Sequence, residues 1–162
     1  LEENPAPPSE LSLRDEDRFL LIESDDPHRT GLLLEAPGAS LLALMEKESG
    51  VSFIDLRQED FLDTLKSGMV ESLAVAADVK GTVTQQGVKF SIKDGALARL
   101  SRSVARSAPN VASRLGCLIC SAAICATVKA VKSDMILEEA VHQPMYHTVI
   151  LKFAGGAASE AS

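Results

Sequence analysis

The segment DVKGTVTQQGVKFSIKD, residues 78–94, has two runs of β-forming residues on either side of the tripeptide QQG. Such runs around a short polar turn are typical of a β-hairpin, in which Gly87 can adopt the positive φ angle of a tight turn. A second pair of runs, residues 135–141 and 146–153, flanks HQPMY. Two hairpins predict a largely antiparallel or mixed sheet.

The rest of the chain combines further strands with helices. Apolar patterns predict strands at 18–23, 31–35 and 51–56, and helices at 41–49, from 59 to about 76, at 95–108 and at 111–132. The expected N-caps are Ser40, Asp94 and Asn110, and Gly50 is the expected stop of the first helix. We therefore expect an α+β fold in which the sheet packs against about four helices, including one nearly all-apolar buried helix.

A chain of 162 residues fits one domain with its own core. We expect a flexible Pro/Glu-rich linker or tail at 1–14, a single α+β domain at 15–153 and a flexible C-terminal tail at 154–162. Because the chain begins at Leu1 rather than methionine, the opening can be a linker from a preceding domain or membrane anchor, or an ordinary frayed terminus. The sequence leaves both alternatives open.

Composition favours a soluble protein of a reducing compartment. Hydrophobic residues make up 46% and charged residues 24%, the balance of a globular domain. Three cysteines cannot all pair within one chain, and no signal-peptide pattern is seen, so we expect a cytoplasmic location. The longest uncharged run, residues 115–128, is too short to span a bilayer, and we expect no transmembrane segment.

Charge is divided unevenly between the two halves of the chain. Residues 1–80 carry 18 acids and 7 bases, whereas residues 81–162 carry 5 acids and 9 bases. In the second half Arg99, Arg102 and Arg106 have helical i, i+3, i+7 spacing and form one face. The opposite face of this predicted helix carries an apolar stripe of Leu97, Leu100 and Val104.

Together with Arg114, this basic face is the first candidate site, for a small anionic ligand or a protein partner. The alternative is a solvated helix face with no ligand. We do not expect nucleic acid, because aromatic stacking platforms are lacking and the chain is acidic overall. A homo-oligomer remains open.

The second candidate site is a C-x-x-C motif, Cys117 and Cys120, within GCLICSAAIC at 116–125. A redox motif needs its first cysteine at a helix N-terminus, but the preceding SAPNVASRL predicts helix and places both cysteines inside it. Core packing is therefore favoured, with a redox pair or a metal site as alternatives.

A metal site would need further ligands, for which His142 and His147 are the candidates. They oppose each other across the hairpin if its loop is QPMY. Otherwise His142 borders the loop and His147 is an exposed strand residue.

No phosphate-binding loop, dinucleotide fingerprint, hydrolase elbow or zincin motif occurs. The sequence therefore names no cofactor and predicts no catalytic residue. We expect a non-catalytic binding or regulatory domain that uses the basic face, within a larger or membrane-attached protein or on its own. The alternative is a thiol-redox or metal-binding protein that uses the C-x-x-C motif.

Overall fold

The computed structural model describes residues 19–22 and 31–154, and the chain divides into two compact units, Leu1–Glu35 and Ala36–Ser162. In the first unit β1 (Phe19–Ile22) and β2 (Gly31–Leu34) are strands, as predicted, and they form an antiparallel pair. The tail predicted at 1–14 lies outside the described residues. So does the tail predicted at 154–162, apart from Ala154.

The second unit contains a four-stranded sheet built from the two predicted hairpins. Its strands are β3 (Ala76–Thr84), β4 (Gly87–Asp94), β5 (Met135–His142) and β6 (Tyr146–Phe153). They lie in the order β3-β4-β6-β5, and all neighbours are antiparallel. Gly87 follows the turn directly and has a φ of 158°. The predicted α+β class is confirmed.

The helices of this unit are α1 (Ala39–Ser49), α2 (Phe61–Lys66, continued by a π-helical turn Ser67–Ser72), α3 (Ala98–Ser107), α4 (Pro109–Leu115) and α5 (Leu118–Val131). The core helix is α5, which contacts α1, α2 and β6. It is buried through Ile119 and several alanines, which confirms the predicted apolar core helix.

Close packing of α5 against the start of α1 depends on Gly38. A Cβ atom at this position would lie 2.0 Å from the backbone nitrogen of Ala122. The Gly38 amide also donates a hydrogen bond of 3.0 Å to Ser121 Oγ. The first turn of α1 therefore begins at Gly38 and Ala39 rather than at the predicted cap, Ser40.

The strand predicted at 51–56 is wrong, because this segment contains a 3-10 turn, Phe53–Asp55. Phe53 is fully buried and meets Phe61 edge-on, with ring centroids 6.3 Å apart. The Phe53 amide donates a hydrogen bond of 2.9 Å to Glu46 Oε1. Since a side chain satisfies this amide, the segment needs no neighbouring strand.

The apolar stripe predicted for α3 is wrong at Leu100, whereas Leu97 is partly buried against the core and Val104 is half-buried. Leu100 is 49% exposed, whereas Ala98 and Ser101 are buried. Small residues allow a helix to approach its neighbours closely, so α3 packs through these two residues and not through its largest apolar side chain. The N-cap is Leu97, so Asp94 does not cap this helix.

The helix predicted at 111–132 is two helices, α4 and α5, separated at Gly116. Pro109 occupies the first turn of α4 after the N-cap Ala108, so Asn110 is not the cap. By length and composition alone, Ala112–Val131 could cross a membrane, although 56% of its most apolar window is buried. The core helix of a soluble protein passes the same criteria, and the absence of a transmembrane segment stays a prediction.

Candidate metal centre

Four side chains from three elements converge at one end of the sheet. Cys117 and Cys120 lie at the start of α5, His142 ends β5, and His147 lies on β6. One ligand atom from each lies within 4.8 Å of all the others. The structure therefore brings together the four residues that the sequence nominated as a metal or redox site.

Gly116 decides where the two cysteines lie on their helix. Its φ of 73° is left-handed backbone, which glycine adopts without steric cost and which interrupts the helical path. Cys117 becomes the N-cap of α5, and the Cys120 amide donates to its Sγ over 3.5 Å. The prediction that both cysteines lie well inside a continuous helix is therefore wrong.

The β5–β6 hairpin positions the two histidines. Gln143 and Tyr146 exchange two backbone hydrogen bonds, of 2.8 and 3.3 Å. The next pair of residues away from the loop is therefore a non-hydrogen-bonded pair, in which the two Cα atoms and their side chains lie closer together. That pair is His142 and His147, whose rings lie 4.9 Å apart at 75°. His147 is 1% exposed and shares the inward face with Val149, so the alternative of an exposed strand residue is wrong.

The imidazole nitrogens are divided between an acidic partner and the cluster. His147 Nε2 lies 2.5 Å from Asp94 Oδ1, which selects Nε2 as the protonated nitrogen and leaves Nδ1 with a free lone pair. His147 Nδ1 and His142 Nε2 are both buried without a hydrogen-bond partner. Such atoms are costly unless a ligand satisfies them, so both are available to a metal.

Asp94 is the neighbour of the cluster that the sequence interpretation missed, since it was assigned as a helix cap. The hairpin loop also holds its backbone, because the Asp94 amide donates 2.9 Å to the Met145 carbonyl. One signal was available, because Asp94 is the single acid among the 44 residues from Lys89 to Lys132. An isolated carboxylate in a basic segment is a candidate for a specific partner.

The pKa values of the two thiols of the motif are shifted in opposite directions. The pKa of Cys117 is lowered to about 3, chiefly by a hydrogen bond from the Cys120 thiol and against the effect of burial. His142 and the Ser101 hydroxyl lower this pKa further, although His142 Nε2 and Ser101 Oγ both lack a partner at regular hydrogen-bond geometry. The pKa of Cys120 is raised by its bond to Cys117 and by burial. The shared hydrogen bond therefore moves the pKa values of the two thiols in opposite directions.

The third cysteine, Cys125, lies further along α5 and outside the cluster. Burial raises the pKa of its thiol, and its side chain is only partly buried. Cys117 and Cys120 are each 1% exposed. Three of the four side chains of the cluster are therefore buried and His142 is partly exposed, and Cys125 provides a thiol of the same chain that does not belong to the cluster.

The basic residues occupy a separate surface next to this cluster. Arg99, Arg102 and Arg106 line a shallow depression on α3, together with two serines, Ser103 and Ser107. Arg102 Nη1 donates to Asp94 Oδ2 over 2.6 Å. The fourth predicted residue, Arg114, is exposed on α4 and does not line the depression.

No protein-family model, curated protein or solved structure matches the chain.

Proposed function

We propose that the chain is a metal-binding domain in which Cys117, Cys120, His142 and His147 hold a divalent ion of the zinc class. The observation that carries the proposal is the convergence of four ligand atoms within 4.8 Å, from residues distributed over α5, β5 and β6. Two thiolates and two imidazoles are a donor set that structural zinc sites use. The ligand atoms would be both sulfurs, His142 Nε2 and His147 Nδ1.

The separations are compatible with tetrahedral coordination after a small adjustment. Zinc bonds of about 2.0 Å to nitrogen and 2.3 Å to sulfur imply ligand atoms about 3.3 to 3.8 Å apart. The observed limit of 4.8 Å is about 1 Å wider. Side-chain torsions would have to supply a contraction of this size when the ion binds.

A divalent cation would also resolve the electrostatics of the cluster. Metal binding requires deprotonated thiols, so Cys120 would lose its proton and two thiolates would neutralise the ion. The unsatisfied nitrogens of His142 and His147 would each gain a partner. Asp94 would keep His147 in the tautomer whose Nδ1 can bind, as carboxylates beside metal-bound histidines do.

The burial of three of the four ligands supports a structural or regulatory role for the ion. Four protein ligands complete a tetrahedral shell and leave no position for a substrate, whereas catalytic zinc keeps one open. An ion held in this way would fasten the start of α5 to the β5–β6 hairpin. Its contribution would be to stability and to the relative position of these two elements.

The test is metal content together with the coordination of a spectroscopic probe. Protein purified without chelators should carry about one zinc equivalent by native mass spectrometry. Reconstitution with cobalt(II) should give cobalt–thiolate charge-transfer bands and the intense d–d bands of a tetrahedral ion. Cys120→Ser and His142→Ala should lose both signals, and the matched control Cys125→Ser should retain them. Metal-free protein that takes up no cobalt would refute the proposal.

A thiol-redox function is the second candidate, because Cys117 at the N-cap of α5 has the position and the low pKa of a reactive cysteine. The 1% exposure of both sulfurs opposes it, since exchange requires access by a second thiol or disulfide. Metal-free protein incubated in glutathione redox buffers distinguishes the two functions. Fast, reversible formation of a Cys117–Cys120 disulfide, with no metal binding, would favour redox chemistry.

A further inference from the structure

The depression on α3 has the composition of a site for a small oxyanion. Three guanidinium groups and two hydroxyls line a volume of about 420 Å³: Arg99, Arg102, Ser103, Arg106 and Ser107. The three guanidinium groups and the Ser103 hydroxyl can donate hydrogen bonds to an anion, the Ser107 hydroxyl donates to the Ser103 and Val104 carbonyls, and no acid lines the surface. Arginine forks match tetrahedral oxyanions in geometry as well as in charge.

The depression carries a net positive charge. Within the described part of the chain, Arg102 is the lining residue with an acidic partner, and that partner is Asp94. Three guanidinium charges offset by one carboxylate leave a charge of +2 facing solvent, which complements a dianion. Arg102 is 43% exposed and has five N–H donors, so it can hold Asp94 and an anion at the same time.

The depression is joined to the proposed metal centre by two direct contacts. Arg102 donates to Asp94 Oδ2 over 2.6 Å, and Asp94 Oδ1 lies 2.5 Å from His147 Nε2. Asp94 is therefore shared between the depression and His147, which is one of the proposed ligands.

We infer that this depression binds a free tetrahedral dianion of the sulfate or phosphate class, and that anion binding and metal binding are linked through Arg102, Asp94 and His147. The linkage, but not the anion site, rests on the proposed metal-binding function. Through this linkage, the concentration of the anion would change the occupancy of the metal site.

We expect the metal and the anion to strengthen each other's binding, because the metal orders the Arg102 side chain before the anion binds. A metal on His147 Nδ1 fixes the imidazole, and the fixed imidazole orients Asp94, which holds the Arg102 side chain in place. An anion that meets an ordered guanidinium loses less side-chain entropy on binding. Metal therefore tightens anion binding, and by reciprocity the anion tightens metal binding by the same factor, expected to be about 5-fold.

The first experiment measures anion binding to metal-free, reduced protein, with inorganic sulfate as the probe. Arginine side-chain NMR resonances are followed while sulfate replaces chloride at constant ionic strength. We expect saturable shifts at Arg99, Arg102 and Arg106. The double variant Arg99→Gln/Arg106→Gln should weaken binding at least about 10-fold, since each charged hydrogen bond contributes substantially. The matched control Arg114→Gln should bind as the parent protein does.

The second experiment measures zinc affinity by competition with a chromophoric chelator, with and without saturating sulfate. Sulfate should tighten zinc binding about 5-fold in the parent protein and in Arg114→Gln. It should have no effect in Arg102→Gln, which keeps all four ligands but loses the contact with Asp94. A sulfate effect that persists in Arg102→Gln would overturn the proposed route of the linkage.

The two experiments separate failure of this inference from failure of the metal site. Shifts that do not saturate, or that are unchanged in the double variant, overturn the anion site whether or not zinc binds. Zinc binding that is unaffected by sulfate overturns the linkage and leaves the metal site standing. Absence of zinc binding refutes the proposed function and the linkage together, while the sulfate titration still decides the anion site.

Discussion

Replacing Cys120 with serine removes one proposed ligand and changes the volume of a buried side chain only slightly. The folded state brings this thiol to within 4.8 Å of ligand atoms on β5 and β6, whereas the unfolded chain holds no such assembly. An ion that binds only the folded state raises the free energy of unfolding by RT ln(1 + [L]/Kd), where [L] is the concentration of the free ion. At free zinc of 100 times Kd this is about 2.7 kcal/mol.

A change of 1 kcal/mol shifts the melting temperature of a domain of this size by about 4 °C, so zinc should raise Tm by about 10 °C. The assay is thermal unfolding followed by circular dichroism, once in zinc buffered at that concentration and once in excess chelator. The parent protein and Cys125→Ser should both show the increment. Cys120→Ser should show almost none, and because each variant is its own reference, any baseline destabilisation cancels.

Two results would refute the reasoning. Equal increments in the parent protein and Cys120→Ser would mean that the stabilising ion does not bind this thiol. Loss of the increment in Cys125→Ser but not in Cys120→Ser would place the site elsewhere on α5.

Further predictions concern the packing and the charge around α1. Gly38→Ala should lower the free energy of unfolding by about 3 kcal/mol or more in urea denaturation, because its Cβ would overlap the Ala122 backbone. Gly50→Ala, with open space around it but a φ of 69°, should cost only about 1 kcal/mol. Burial raises the pKa of Glu46, but hydrogen bonds from Lys129 and the Phe53 amide outweigh it and leave the pKa lowered. A lowered folded-state pKa gives stability that is present above the ordinary value of 4.5 and is lost as pH falls, so Glu46→Gln should flatten the fall of Tm in acid; equal acid slopes would contradict the ion pair.

Much of the fold could be predicted from local pattern. Alternation and turn residues identified both hairpins, because strand register follows from side-chain period and loop length. Uniform apolarity identified α5 as a core helix. The opposition of His142 and His147 followed from the same hairpin reasoning, since it depends only on the loop between them.

Other features depended on contacts that hydrophobic periodicity does not report. The segment around Phe53 alternates as a strand does, but the Phe53 amide donates to the nearby Glu46 side chain in place of a sheet neighbour. The buried face of α3 is formed by Ala98 and Ser101, which no hydrophobicity pattern selects over Leu100. In both cases packing outweighed local preference.

By itself, the sequence determined the residue types of the site and the two local geometries that carry them: a C-x-x-C pair within one helical turn, and two histidines across one hairpin. Only the tertiary structure decided that these two pairs meet, that Gly116 interrupts the helix so that Cys117 becomes an N-cap, and that Asp94 joins His147 to Arg102. The physical reason is the distance along the chain over which each kind of interaction acts. Periodicity and turn chemistry act over a few residues, whereas the 4.8 Å cluster exists because a common core packs α5 against the sheet.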